Sequence, residues 1–251
     1  MDLQLKGKKA LVTGSTAGIG FATAQGLAAE GATVIVNGRG QQRVDAAIHE
    51  IRKLHPQAEV SGIAADVSNA AGCARLIQEL DRVDILVNNM GIFEPKPFEQ
   101  IPDEDWLRFF EANVMSGVRL SRHYLSGMRE KNWGRIIFVS SESAVQIPAE
   151  MIHYGMTKTA QVTIARGLAE TVAGTNITVN SVLPGPTRSE GVETFIQKMG
   201  AKPGADTAAF ENDFFKTIRP TSLLKRFETV DEVANMIVYL CSPLASGTTG
   251  A

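Results

Sequence analysis

Ser141, Tyr154 and Lys158 are the residues of this sequence whose types and spacing could do chemistry together. On a helix, Tyr154 and Lys158 are four residues apart and share one face. Residues 135–139 are strand-like, and a strand end there can present Ser141 beside that face. A free phenol titrates near ~10. A cation nearby favours the phenolate, and a downward shift of ~1–3 units makes Tyr154 an acid or base usable near neutrality. Lys158 is placed to be that cation. The competing reading, a surface Tyr and Lys on an ordinary helix, is the one this stretch favours when taken alone.

The elements that must position these groups begin at the N-terminus. Residues 9–13 are a short apolar run that ends in Gly14-Ser15-Thr16-Ala17-Gly18-Ile19-Gly20, followed by a helical pattern over 21–30 and a second buried strand over 32–37. A strand, a glycine-rich turn, a helix and a strand make one βαβ unit. Such a turn lets the backbone approach a pyrophosphate, whose charge is stabilised by N–H groups at the helix N-terminus. The spacing is G-x-x-x-G-x-G rather than G-x-G-x-x-G. A glycine-rich turn alone can be purely structural; its place between strand and helix favours nucleotide binding.

The alternation continues with a helix over 42–54, a strand over 59–64, a helix over 69–80 and a strand over 83–88. One long helix is expected over 103–130, then a strand over 135–139, a helix over 154–172 and a strand over 176–183. Apolar strands without polar alternation imply a parallel sheet covered on both faces. The expected fold class is therefore α/β, a doubly wound parallel sheet flanked by helices, with residues 1–251 as a single domain. Residues 187–226 form an excursion with two short helical candidates, 190–199 and 207–218, of the kind that covers a substrate. Thr229 and Glu232 have the spacing of a capping box for a last helix over 230–240.

Composition narrows the class. The 251 residues are 44% hydrophobic and 21% charged, with 23 glycines and net charge −2, which fits a globular protein with many tight turns. With no block of like charge, neither nucleic acid nor an anionic membrane is an expected partner. Cys73 and Cys241 lack metal-ligand spacing and read as free thiols of a reducing compartment. No apolar signal region or spanning run is present, so a soluble, cytoplasmic protein without a metal is expected.

Thr13-Gly14-x-x-x-Gly18-Ile19-Gly20, Asn88-Asn89-Met90-Gly91, Asn113-Val114, Ser141, Tyr154-x-x-x-Lys158 and Pro184-Gly185 occur in one order over nearly the whole chain. In order and spacing they resemble the short-chain dehydrogenase/reductase family, of the 3-oxoacyl-ACP reductase-like type. The resemblance implies a Rossmann sheet that binds NAD or NADP, and hydride transfer between a carbonyl and an alcohol. It implies Tyr154 as general acid for reduction and base for oxidation, with Lys158 lowering its pKa and holding the nicotinamide ribose. Ser141, rather than Ser140, has the spacing to hydrogen-bond the substrate oxygen. Asn113 would support a water that relays protons to Lys158; the competing reading is a helix-interior polar residue satisfied by backbone. Gly14, Ser15, Gly18, Ile19 and Gly20 would cradle the phosphates. Asp66 and Val67 would contact adenine, or else cap a helix and fill the core. Asn88 and Gly91 would line the adenine-ribose side, and Pro184, Gly185, Thr187 and Ser189 the nicotinamide amide and phosphates.

Three departures from the family pattern keep or adapt a side chain: Met90 for alanine, Thr157 for serine and Ser189 for threonine. A fourth is larger, since members usually continue into a seventh strand and an Asp-Gly-Gly turn, a segment not found here. NAD-preferring members carry an acidic residue after the second strand. Here the residues are Asn37-Gly38-Arg39, and Arg39 can stack on adenine and pair with a 2′-phosphate, so NADP is expected over NAD. Candidate pocket residues are Ile92, Phe93, Gln146, Ile147, Met151 and His153, which fit a small carbonyl or alcohol substrate with an apolar body. A homo-oligomer, dimer or tetramer, is expected through the long helices. The alternatives are a non-catalytic NADP(H)-binding regulator of the same fold, and another Rossmann enzyme such as a methyltransferase, which has no need of a Tyr-x-x-x-Lys pair.

Overall fold

The computed structural model describes residues 2–189 and 207–251. Strands β1 (Lys9–Val12), β2 (Thr33–Gly38), β3 (Val60–Ala64), β4 (Ile85–Asn88), β5 (Gly134–Val139) and β6 (Ile177–Val182) form one parallel sheet in the order β3-β2-β1-β4-β5-β6. The order reverses between β1 and β4, so this parallel sheet is doubly wound. β4 and β5 are buried at every position and β1 at all but Lys9, which explains their apolar runs.

Two apolar layers cover the sheet. On one face, Leu27 of α1 (Gly18–Ala29), Val44 and Ile51 of α2 (Gln41–Leu54) and Ile237 of the C-terminal helix Val230–Cys241 pack on Val12, Val34 and Ile85. On the other, Leu76 of α3 (Ala70–Glu79), Leu120 and Tyr124 of α5 (Ser116–Lys131) and Ala165 of α6 (Ile152–Thr171) pack on Leu11, Leu86 and Phe138. Each fully buried Val, Leu or Ile among them contributes ~1.5–3 kcal/mol.

The expected helix over 103–130 is divided. α4 (Asp103–Phe110) gives way to a π turn over Glu111–Met115 before α5 begins, although the chain does not leave the helix axis. Periodicity could not show this, because a single wide turn leaves the apolar pattern almost unchanged. α5 ends at Asn132 in the left-handed conformation (φ 49°), where its side-chain oxygen accepts the N–H of Asn176.

Beyond β6, β7 (Thr187–Arg188) pairs with β8 (Glu228–Thr229), and α7 (Thr207–Thr217) lies between them. The helical candidate over 190–199 lies outside the described residues. The capping box expected at Thr229 and Glu232 is present at the start of α8 (Val230–Cys241). The last residues run along the free side of β6, with Gly250 donating to the Val179 carbonyl and Ser181 to that of Ala251. Both cysteines are buried free thiols, and no group of metal-binding side chains occurs among the described residues. Among these residues no helix is long and apolar enough to cross a membrane.

Candidate active site

The C-terminal ends of β1, β4, β5 and β6 open into one cleft, which Ser141, Tyr154, Lys158, Gly91, Pro184, Gly185, Thr187 and Ser189 all line. At the end of β5 the chain turns into a short 3-10 segment, and Ser141 caps it by accepting the Ser143 N–H at 3.1 Å. Ser140 instead turns inward and donates to the Lys158 carbonyl at 2.8 Å. The two hydroxyls therefore point in different directions.

Lys158 reaches back toward β5. Its Nζ donates to the Val139 carbonyl at 2.9 Å and to Gln161 Oε1 at 3.1 Å, and it lies 5.6 Å from the centre of the Tyr154 ring. Burial lowers its pKa to about 7. Burial raises the Tyr154 phenol to about 12; the Ser141 hydrogen bond pulls it back, Glu142 adds to the rise and Arg219 opposes it. In the protein by itself burial is the largest influence on the phenol. Desolvation outweighs the other effects at both residues, because the cleft floor excludes water from an ammonium and a phenolate alike.

Asn113 sits in the π turn and is fully buried. Its Oδ1 accepts the Ile92 N–H at 2.7 Å, and its Nδ2 donates to the Ile92 carbonyl at 2.9 Å and to Thr157 Oγ1 at 3.0 Å. This clasp holds the loop after β4 against α6. The main-chain carbonyl of Asn113 accepts Gln161 Nε2 at 2.6 Å. Gln161 was not singled out from the sequence, because a glutamine one turn past a lysine carries no motif.

The glycine-rich turn fits a dinucleotide phosphate. Gly14 and Gly18 have φ of 62° and 59°, and a Cβ on Gly20 would lie 2.5 Å from the Gly14 carbonyl oxygen. Among the described residues, a Cβ on Gly18 would meet only Ser189, at 3.6 Å. Ala17 provides no side-chain cap, and the first N–H groups of α1 are left for an anion. Ile19 lines the cleft. Ser15 does not join this cradle: its hydroxyl donates to the Val12 carbonyl, its oxygen accepts the Asn37 N–H and its own N–H donates to the Asn37 carbonyl.

Two further side chains turn away from the cleft. Asn88 is buried and donates to Ser121 Oγ on α5, while Asn89 faces the cleft and ties the turn down through Thr13 and Gly14. In a parallel strand successive side chains alternate faces, and the sequence alone did not say which asparagine looked out. Val67 is 2% exposed and packs in the core, so its side chain is not available to a base. Asp66 is half-buried and accepts the Ser68 N–H, while Asn69 caps α3. Arg39 stands exposed after β2, outside the cleft.

Of the pocket candidates, Phe93 and Met151 line the cleft, Phe93 meeting the Tyr154 ring edge-on at 6.2 Å. His153 does not: it is fully buried against Phe109 and Trp106 with both ring nitrogens unpaired, and burial lowers its pKa. Ile92 holds Asn113 through its backbone. Gln146 is exposed and accepts from Thr221, and Ile147 packs over Gly155. The cover is supplied by Phe214 of α7 and by Phe227, which pack on Met151. Arg219 clamps it down, donating to Glu142 and to Glu150, each at 3.0 Å.

Residues 8–200 match the short chain dehydrogenase family. The chain belongs to that family. It is 49% identical over 251 residues to the oxidoreductase YvaG of Bacillus subtilis, covering 100% of this chain and 95% of that one. It is 32% identical to the 3-oxoacyl-[acyl-carrier-protein] reductase FabG of Aquifex aeolicus, covering 100% and 96%. Among solved structures, L-sorbose reductase from Gluconobacter frateurii, complexed with NADPH and L-sorbose, superposes with a TM-score of 0.92 at 31% identity, covering 100% and 95%. This short-chain dehydrogenase is accordingly an NAD(P)-dependent oxidoreductase with the Rossmann fold.

Proposed function

We propose that the protein transfers a hydride between NADP(H) and a carbonyl or secondary alcohol, with Tyr154 as the general acid or base. The observation that carries this reading is the convergence of Ser141, Tyr154 and Lys158 at one cleft floor beside the glycine cradle of β1 and α1. A bound nicotinamide dinucleotide supplies or accepts the hydride. Gly14, Gly18, Ile19 and Gly20 would hold its phosphates, Gly91 and Asn89 its ribose side, and Pro184, Gly185, Thr187 and Ser189 its amide end. Asp66 stands at the adenine end, where its carboxylate can accept from an amino group.

In reduction, Ser141 donates a hydrogen bond to the carbonyl oxygen and Tyr154 gives it a proton as alkoxide character develops. The Lys158 ammonium, 5.6 Å from the ring, favours the phenolate that remains. Asn113 keeps the loop after β4 and α6 at a fixed separation, so this geometry is ready before substrate arrives. Arg39, exposed after β2 where an acidic residue is absent, supports NADP over NAD through a 2′-phosphate. A second copy of the chain is the expected cover for Leu107 of α4, which is 70% exposed, and for Phe110 beside it.

Consumption of NADPH, followed by absorbance against a panel of ketones and β-ketoacyl thioesters, tests the reading. Turnover that Tyr154→Phe abolishes is expected. Tight NADPH binding without turnover of any carbonyl would favour a regulator, and full activity in Tyr154→Phe would refute the mechanism. Arg39→Ala should weaken NADPH binding by roughly tenfold, ~1.4 kcal/mol, and leave NADH unchanged. A monomer in gel filtration would overturn the assembly.

A further inference from the structure

Gln161 lies one turn beyond Lys158 on α6, is 1% exposed and does not line the cleft. Its side-chain amide nevertheless joins two groups on which proton handling depends. Nε2 donates to the Asn113 main-chain carbonyl at 2.6 Å, and Oε1 accepts from Lys158 Nζ at 3.1 Å. A carbonyl can only accept, so the NH2 end of the amide must face Asn113 and the oxygen must face the lysine. The partners therefore dictate the orientation of the amide. Asn113 lies in the π turn, whose wider spacing loosens the helix ladder there.

The Lys158 ammonium has three protons to donate. Val139 and Gln161 take two, and the third is left for the cleft beside Gly91, where even an added Cβ would stay 3.5 Å from Nζ. We infer that Gln161 is a positioning residue: its side-chain amide ties Lys158 Nζ to the Asn113 carbonyl, favours the ammonium and aims the remaining N–H into the cleft. This inference rests on the reading of Tyr154 and Lys158 as the acid–base pair.

The surroundings make the effect measurable. From its own helix, Nζ faces the Tyr154 ring and the Gln161 oxygen; the Val139 carbonyl faces it from β5 and Gly91 lies beside it in the loop after β4, all neutral. Burial alone accounts for its lowered pKa, while the cleft charges Glu142 and Arg219 act on Tyr154. An acceptor that favours the ammonium therefore has no competing charge to mask its loss.

The test is an NMR titration of the whole chain carrying 13C-labelled lysine, with the Lys158 signal assigned by its disappearance in Lys158→Arg. Gln161→Met keeps the length and removes the acceptor, and should lower the Lys158 pKa by about one unit. Gln161→Glu supplies a carboxylate at the same distance and should raise it. The high-pH limb of carbonyl reduction should move in the same directions, with kcat falling more than KM rises. Thermal melting identifies any variant that does not fold, and the other variant then carries the test. A Lys158 titration unchanged in the folded variants, or moved the same way in both, overturns the role of Gln161. Because the titration needs no turnover, inactivity of the wild type toward every carbonyl would count against the proposed function alone.

Discussion

The buried amine of Lys158 makes stability depend on pH, and Lys158→Met should remove that dependence. Lys158 titrates at about 7 in the folded protein against 10.5 for an ordinary lysine, because burial penalises the ammonium. Below pH 7 the amine is protonated in both states, and the whole cost of burying the charge is present. Between the two values the unfolded chain binds a proton that the folded chain does not, so stability rises with pH; above 10.5 the gain is complete. From pH 7 to 9 the folded amine passes from half to almost wholly neutral, and the integrated gain is about 2 kcal/mol. For a chain of this size that corresponds to ~4–8 °C in Tm. Urea unfolding followed by tryptophan fluorescence, in half-unit steps from pH 6 to 9, measures it in the wild type and in Lys158→Met. Titrations common to both chains cancel in the difference, which should move toward the wild type by the stated amount. Parallel profiles would refute the reasoning, since they would mean that Lys158 titrates outside this window or is solvated in the folded protein.

Two other substitutions probe the cradle and the cover. Gly20→Ala presses a methyl group on the Gly14 carbonyl oxygen, 2.5 Å away, and on Asn89 Nδ2; a stability loss of ~1–3 kcal/mol and weaker NADPH binding are expected, read by denaturation and fluorescence titration. Arg219→Ala leaves Glu142 and Glu150 without their cation and frees the cover, so substrate KM should rise by roughly tenfold, ~1.4 kcal/mol, while NADPH binding holds; an unchanged KM would show that the clamp does not shape the cleft.

The order of strands and helices was legible because parallel strands buried on both faces leave apolar runs, and the helices between them leave 3.6-residue patterns. The capping box at Thr229 was legible for a similar reason: its partners are three residues apart, so local spacing contains the whole interaction. The π turn was not, since one widened turn shifts the apolar stripe too little to register, and yet it contains Asn113, whose carbonyl accepts Gln161.

What the sequence determined by itself is the set of reactive groups and their chain order: a glycine-rich turn after β1, Ser141 after β5, and Tyr154 with Lys158 on one helix face. Tertiary structure decided which of the nearby polar groups face the cleft. Asn89 points out and Asn88 in; Ser15 is spent on β1 and β2; Val67 and His153 are buried. Each of these outcomes depends on partners distant in the chain. Tertiary structure also decided the charge states, because burial reverses the local expectation. Lys158 sits four residues from Tyr154 as the pattern requires, but the water excluded around both groups, not their spacing, dominates their pKa values.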